Sequence, residues 1–143
     1  MSVFVPPAWR SLLLAGDGGA GRVRGMPRLL LHLEGAALFV AATAAWFVQG
    51  GSLTRFLLLL PLPDLLMLGY LAGGRVGALA YNAGHTTVVP LTLLLVLLVR
   101  DGAAPDPSGL AMACLPWLAH IGFDRLCGFG LKYPGGFRHT HLS

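Results

Sequence analysis

Four long apolar stretches dominate the chain and predict four membrane-spanning helices. They cover residues 29–48, 53–72, 76–99 and 110–131, and each reaches the roughly 20 residues that a helix needs to cross about 30 Å of hydrocarbon. The linkers between them are short, so neighbouring helices should run antiparallel. No stretch alternates as the strands of a membrane barrel do. We therefore predict an all-α fold, a polytopic four-transmembrane-helix bundle over residues 28–143.

The composition supports this class and excludes others. Hydrophobic residues make up 55% of the 143 residues and charged residues 11%, whereas a soluble domain has about 25% charged residues. Such hydrophobicity also excludes a disordered chain. Residues 1–27 differ from the rest, because they are rich in Gly, Pro and Arg, and they predict a flexible basic tail. The net charge is +4, but the basic residues form no stripe, so the expected partner is a lipid bilayer and not a nucleic acid.

The placement of the basic residues predicts the orientation of the bundle. Those expected on the cytoplasmic side are Arg10, Arg22, Arg24, Arg28, Arg75, Arg125, Lys132 and Arg138. The opposite side carries only Arg55 and Arg100. Because cytoplasmic loops are enriched in Lys and Arg, both termini should be cytoplasmic.

Several polar side chains lie inside the predicted spans, where a charged group costs about 2.5–3.5 kcal/mol near the bilayer centre. They include Glu34, Asp64, Asn82, His85, His120 and Asp124. With both termini cytoplasmic, they lie roughly 8–17 Å from the cytoplasmic ends of their spans, at about 1.5 Å per residue. Four helices therefore place polar groups in the same half of the bilayer, which predicts that these groups converge.

The spacing of these residues supports a shared site. His120 and Asp124 are four residues apart and Asn82 and His85 are three apart, so each pair lies on one face of its helix. Imidazole and carboxylate groups suit Zn, Fe or Mn. We therefore predict a divalent metal held by four ligands, which are Asp64, His85, His120 and Asp124.

Four further residues have predicted roles around this metal. Glu34 is expected to act as a general base or an outer group, and Asn82 as an orienting donor. Arg125 and Lys132 are expected to orient an anionic group at the cytoplasmic mouth. Two other interpretations of the same polar residues stay open. One is a buried network that sets helix register, and the other is a small transporter that moves protons or ions. A homodimer that completes a cavity is also open.

The motifs resemble one bacterial family. The segments PDLLMLGYLAGGRVGALAYNAGH and AHIGFDRLCGFGLKYPGGFRHTHL, together with LEG at residues 33–35, resemble the bacterial membrane family called domain of unknown function 4260. The resemblance covers residues 28–142 and implies a multi-helix protein of the bacterial inner membrane, without an established activity.

A shorter similarity is to bacterial inner-membrane proteins described as metal-dependent hydrolases. They share a PD motif, a central His and a later HxxxD, which implies Asp64, His85, His120 and Asp124 as ligands. The combined expectation is a metal-dependent hydrolase that acts on a lipid or amphipathic substrate at the cytoplasmic leaflet. The alternatives are a small ion-coupled transporter and a structural membrane subunit.

Overall fold

Five α-helices and one 3₁₀ helix form the part of the chain that the computed structural model describes, which is residues 23–101, 109–133, 140 and 142. The α-helices are α1 (Met26–Val48), α2 (Leu53–Leu59), α3 (Gly74–His85), α4 (Val88–Asp101) and α5 (Leu110–Leu126). The 3₁₀ helix covers Leu62–Ala72. The predicted all-α class is confirmed. Most of the predicted basic tail, residues 1–22, lies outside the described residues.

Two helical stretches of the described chain are long and apolar enough to cross a membrane. They are Met26–Val48 and Leu53–Ala72. Helices α3 and α4 together make a third only if they count as one span, because they are bent by 44° at the break between them. Helix α5 has 17 residues, which is less than the about 20 of a typical span. The apolar helices indicate a membrane protein with two or three such spans, and the predicted four-span bundle is not confirmed.

Prolines and an extended residue divide two of the predicted spans. Proline has no N–H and cannot continue the hydrogen-bond ladder of an α-helix. Pro61 therefore lies between α2 and the 3₁₀ helix, and Pro63 is in the first turn of the 3₁₀ helix together with Asp64. Helix α3 ends at His85, because Thr86 is extended with φ −84° and ψ 135°. Both breaks adjoin a predicted ligand, so each ligand lies at a helix terminus.

Helix α5 occupies the centre of the fold. Nine of its residues are buried, and it packs against α1, α2 and α4. Its closest approach to α1 is made by two glycines. A Cβ on Gly122 would lie 2.5 Å from the amide nitrogen of Phe39, and a Cβ on Gly35 would lie 2.7 Å from the Cβ of Arg125. Only glycine permits these backbones to approach so closely.

The chain turns back after α5. The helix ends at Leu126, five residues before the predicted end at residue 131, and Gly128 follows with φ 87°. The amide of Phe129 donates a 2.7 Å hydrogen bond to the carbonyl of Asp124 and closes the helix end. Glycine tolerates this left-handed conformation. The next residues, which we call the C-terminal segment (127–133), return towards α3.

Candidate metal centre

The structure brings the four predicted metal ligands together. The Nε2 atoms of His85 and His120 lie 3.1 Å apart. Asp64 Oδ1 lies 3.4 Å from Nε2 of His85 and 3.5 Å from Nε2 of His120. Asp124 Oδ2 lies 3.5 Å and 3.8 Å from the same two atoms. The side chains come from three elements, since Asp64 lies on the 3₁₀ helix, His85 ends α3, and α5 carries the other two.

Three of these residues form the tightest group. One ligand atom each from Asp64, His85 and His120 lies within 4.8 Å of the other two, which is close enough to hold one metal ion. Asp124 does not belong to that group, although it reaches both imidazoles. The two carboxylates therefore flank the histidine pair, and the four atoms are not the corners of one regular tetrahedron.

The cluster is closed on the histidine side and open on the side of Asp64. The side chains of His85 and His120 are 3% and 9% exposed, whereas the side chain of Asp64 is 45% exposed and that of Asp124 is 18% exposed. A ligand can therefore reach the cluster at Asp64 while the imidazoles stay shielded.

Tyr81 orients the cluster, and it was not among the predicted site residues. The Nδ1 of His85 lies 2.9 Å from the carbonyl oxygen of Tyr81. A carbonyl only accepts hydrogen bonds, so Nδ1 carries the proton and Nε2 of neutral His85 has a lone pair that can accept a hydrogen bond from His120 or bind a metal ion. The two rings stack with centroids 3.7 Å apart, and the hydroxyl of Tyr81 donates to Asp124 Oδ2 at 3.3 Å. The spacing of four residues from His85 was the available signal in the sequence.

Asn82 and Lys132 lie beside the cluster and bind each other. The amide of Asn82 donates to the carbonyl of Lys132 at 2.8 Å and accepts from the amide nitrogen of Lys132 at 2.7 Å. This pair of bonds holds the C-terminal segment on α3. It places the Lys132 ammonium 4.0 Å from the centroid of the Tyr81 ring. Burial lowers the pKa of Lys132 below its ordinary value, and the carboxylates of Asp124 and Asp64 oppose that shift.

The structure does not place Glu34 and Arg125 in the cluster. Glu34 is exposed on α1, and it makes no hydrogen bond or ion pair with the described residues. Arg125 follows Asp124 along α5, but its Cβ packs against Gly35 of α1. The depth of a residue in a span does not specify which side of its helix it occupies. Glu34 lies on the exposed side of α1, and Arg125 lies where α5 packs on α1.

Comparison with known proteins adds the family. The family model described as "Domain of unknown function (DUF4260)" matches residues 28–143. The chain belongs to this family. This finding confirms the resemblance carried by the motifs around Asp64, His85 and His120, whereas the similarity to metal-dependent hydrolases is not shown. None of the curated proteins and none of the solved structures gives a significant match to the chain.

Proposed function

We propose that this member of the family is a metal-dependent hydrolase of the bacterial inner membrane, which cleaves a lipid or an amphipathic substrate at the cytoplasmic leaflet. The observation that carries the proposal is the position of one carboxylate oxygen of Asp64 at 3.4 Å and 3.5 Å from two imidazole nitrogens that are themselves 3.1 Å apart.

The two distances from Asp64 to the imidazoles favour a metal over a hydrogen-bond network. Two ligand atoms that are each about 2.0–2.1 Å from a tetrahedral metal ion lie about 3.3–3.4 Å apart. An N–H···O hydrogen bond brings its two heavy atoms to about 2.7–3.2 Å. Both distances from Asp64 to the imidazoles, 3.4 Å and 3.5 Å, exceed that range and lie close to the separation of metal ligands, whereas the 3.1 Å between the two Nε2 atoms also suits a hydrogen bond. The lone pair on Nε2 of neutral His85 is available to a metal ion as well as to a hydrogen bond from His120.

The residues then take distinct roles. Asp64, His85 and His120 would hold the metal, which supplies a Lewis acid and lowers the pKa of a bound water to about 7. Asp124 accepts the proton of the attacking water and returns it to the oxygen of the leaving group. Tyr81 positions Asp124 through its hydroxyl, and Lys132 orients an anionic headgroup.

The proposal includes the topology of the chain. Helix α5 would form the fourth span, with both termini in the cytoplasm. The basic residues before α1, at Arg75 and beyond α5 support this orientation. In this arrangement the cluster faces the cytoplasmic headgroups, where Lys132 meets a lipid phosphate.

A small ion-coupled transporter is the second candidate, and the helix breaks favour it. Asp64 follows the break at Pro61, and His85 precedes the bend of 44° between α3 and α4. Discontinuous helices of this kind hold ions in transporters. Such a protein would move ions across liposomes without a bound metal, whereas the hydrolase requires the metal.

Metal content measured by elemental mass spectrometry tests the proposal. The purified wild-type protein should hold about one equivalent of Zn, Mn or Fe, and His120→Ala should lose most of it. His32→Ala is the matched control, because His32 lies on α1 and contacts the carbonyl of Leu126. It should keep the metal. If the wild-type protein binds none of the three metals after incubation with each, the hydrolase proposal is wrong.

A further inference from the structure

An apolar cavity adjoins the metal cluster. Its volume is about 260 Å³, and nine residues line it, each of them Leu, Pro, Ala, Cys or Trp. They come from α2, the 3₁₀ helix, α4 and α5. The indole nitrogen of Trp117 is already bonded to the carbonyl of Gly84 at 2.6 Å. The cavity therefore presents apolar surface that suits hydrocarbon.

The wall of the cavity is built from neighbours of the metal ligands. Pro63 directly precedes Asp64. Leu66 packs on Gly84, where an added Cβ would lie 2.6 Å from its Cδ1, and Gly84 precedes His85. Trp117 lies three residues before His120 and thus on the same face of α5. A chain in the cavity would therefore end beside the cluster.

The size and position of the cavity indicate what enters it. An apolar cavity of about 150 Å³ holds the six carbons of benzene, so 260 Å³ holds roughly ten carbons of a chain. Three of the lining residues, Leu62, Leu66 and Leu110, are 48%, 41% and 62% exposed. The cavity therefore opens on the lateral surface of the helices. In a membrane, that surface faces the acyl chains of the bilayer.

We infer that this cavity binds one acyl chain of a bilayer phospholipid and places the headgroup end of that chain at the cluster of Asp64, His85 and His120. The binding of the chain rests on the cavity alone. The assignment of this lipid as the substrate rests on the proposed function.

Photolabelling in lipid nanodiscs tests the inference. The probe is a phosphatidylcholine with a diazirine midway along one acyl chain, and the labelled residues are mapped by mass spectrometry. We expect the label on the 3₁₀ helix and α5 at the cavity wall. Leu93→Trp fills part of the cavity with an indole, so steric overlap excludes the acyl chain and the label at the cavity wall should be lost. The matched control is Leu95→Trp, on the same helix at a position 62% exposed, and it should keep the label.

The outcomes are decisive in both directions. The inference is wrong if the label spreads evenly over the exposed face of α1 or if Leu93→Trp leaves the label unchanged. It is also wrong if a second copy of the chain covers the cavity. If Leu93→Trp fails to fold, Ala113→Phe replaces it, with Ala37→Phe on the exposed face of α1 as its control.

A further variant separates this inference from the proposed function. Asp64→Asn should lose the metal and keep the label. If the wild-type protein holds no metal and the label is still confined to the cavity, only the proposed function fails. If the metal is present and the label is diffuse, only the cavity assignment fails.

Discussion

Replacement of Asn82 by Ala should release the C-terminal segment from α3. The substitution removes two hydrogen bonds, of 2.8 Å and 2.7 Å, to the backbone of Lys132. Each is worth about 0.5–1.5 kcal/mol net, so the docked state loses about 1–3 kcal/mol. Since about 1.4 kcal/mol is a factor of ten, the open population of the segment should rise about 5- to 150-fold.

Trypsin reports this opening, because it cleaves after Lys132. When the segment recloses faster than it is cut, the cleavage rate follows the open population. We expect Asn82→Ala to raise the rate of cleavage after Lys132 by the same factor, with the metal content unchanged. Ser52→Ala is the control, because it removes the hydrogen bond to the amide of Arg55 at the start of α2. A change of less than about twofold for Asn82→Ala would refute the argument that these two bonds hold the segment.

Two further predictions concern helix packing and pH. Gly122→Ala should lower the free energy of unfolding by about 1–3 kcal/mol, because the new Cβ would lie 2.5 Å from the amide nitrogen of Phe39. Gly84→Ala, which meets the flexible end of Leu66, should cost less in the same thermal unfolding assay, and equal losses would contradict this reasoning. Burial lowers the pKa of Lys132 in the folded protein below its ordinary value of 10.5. At a pH between the pKa of the folded protein and that of the unfolded chain, the unfolded chain therefore binds more protons at this lysine than the folded protein does. The free energy of unfolding of the wild-type protein, relative to that of Lys132→Met, should therefore rise with pH in this interval. A difference between the two proteins that does not vary with pH would show that folding does not change the pKa of Lys132.

The apolar pattern predicted the helical class and the level of the site. Inside a membrane the backbone N–H and C=O groups must bond within the protein, and a run of about 20 apolar residues achieves this as a helix, so the all-α class follows from composition and length. The depth of each polar residue along its span predicted that Asp64, His85, His120 and Asp124 would meet. Each imidazole Nε2 lies 3.1–3.8 Å from the other Nε2 and from an oxygen of each carboxylate.

The sequence could not show which side of a helix each residue occupies. Glu34 lies at a suitable depth on α1, but the contact between Gly35 and α5 decides how α1 is rotated. Arg125 is adjacent to Asp124 in sequence, yet one residue turns about 100° around a helix, and its Cβ faces α1. These directions depend on which helices pack together, and that choice is made by the whole bundle.

Tertiary structure alone decided the edge of the site. The apolar run continues through residue 131 and predicts helix, but the positive φ of Gly128 turns the chain back. Two hydrogen bonds from Asn82 then place Lys132 over the ring of Tyr81. The spacing of apolar residues along a helix predicts which of its faces is buried, but only over a few turns. A contact between residues 82 and 132 joins positions 50 apart, and only the folded chain brings them together.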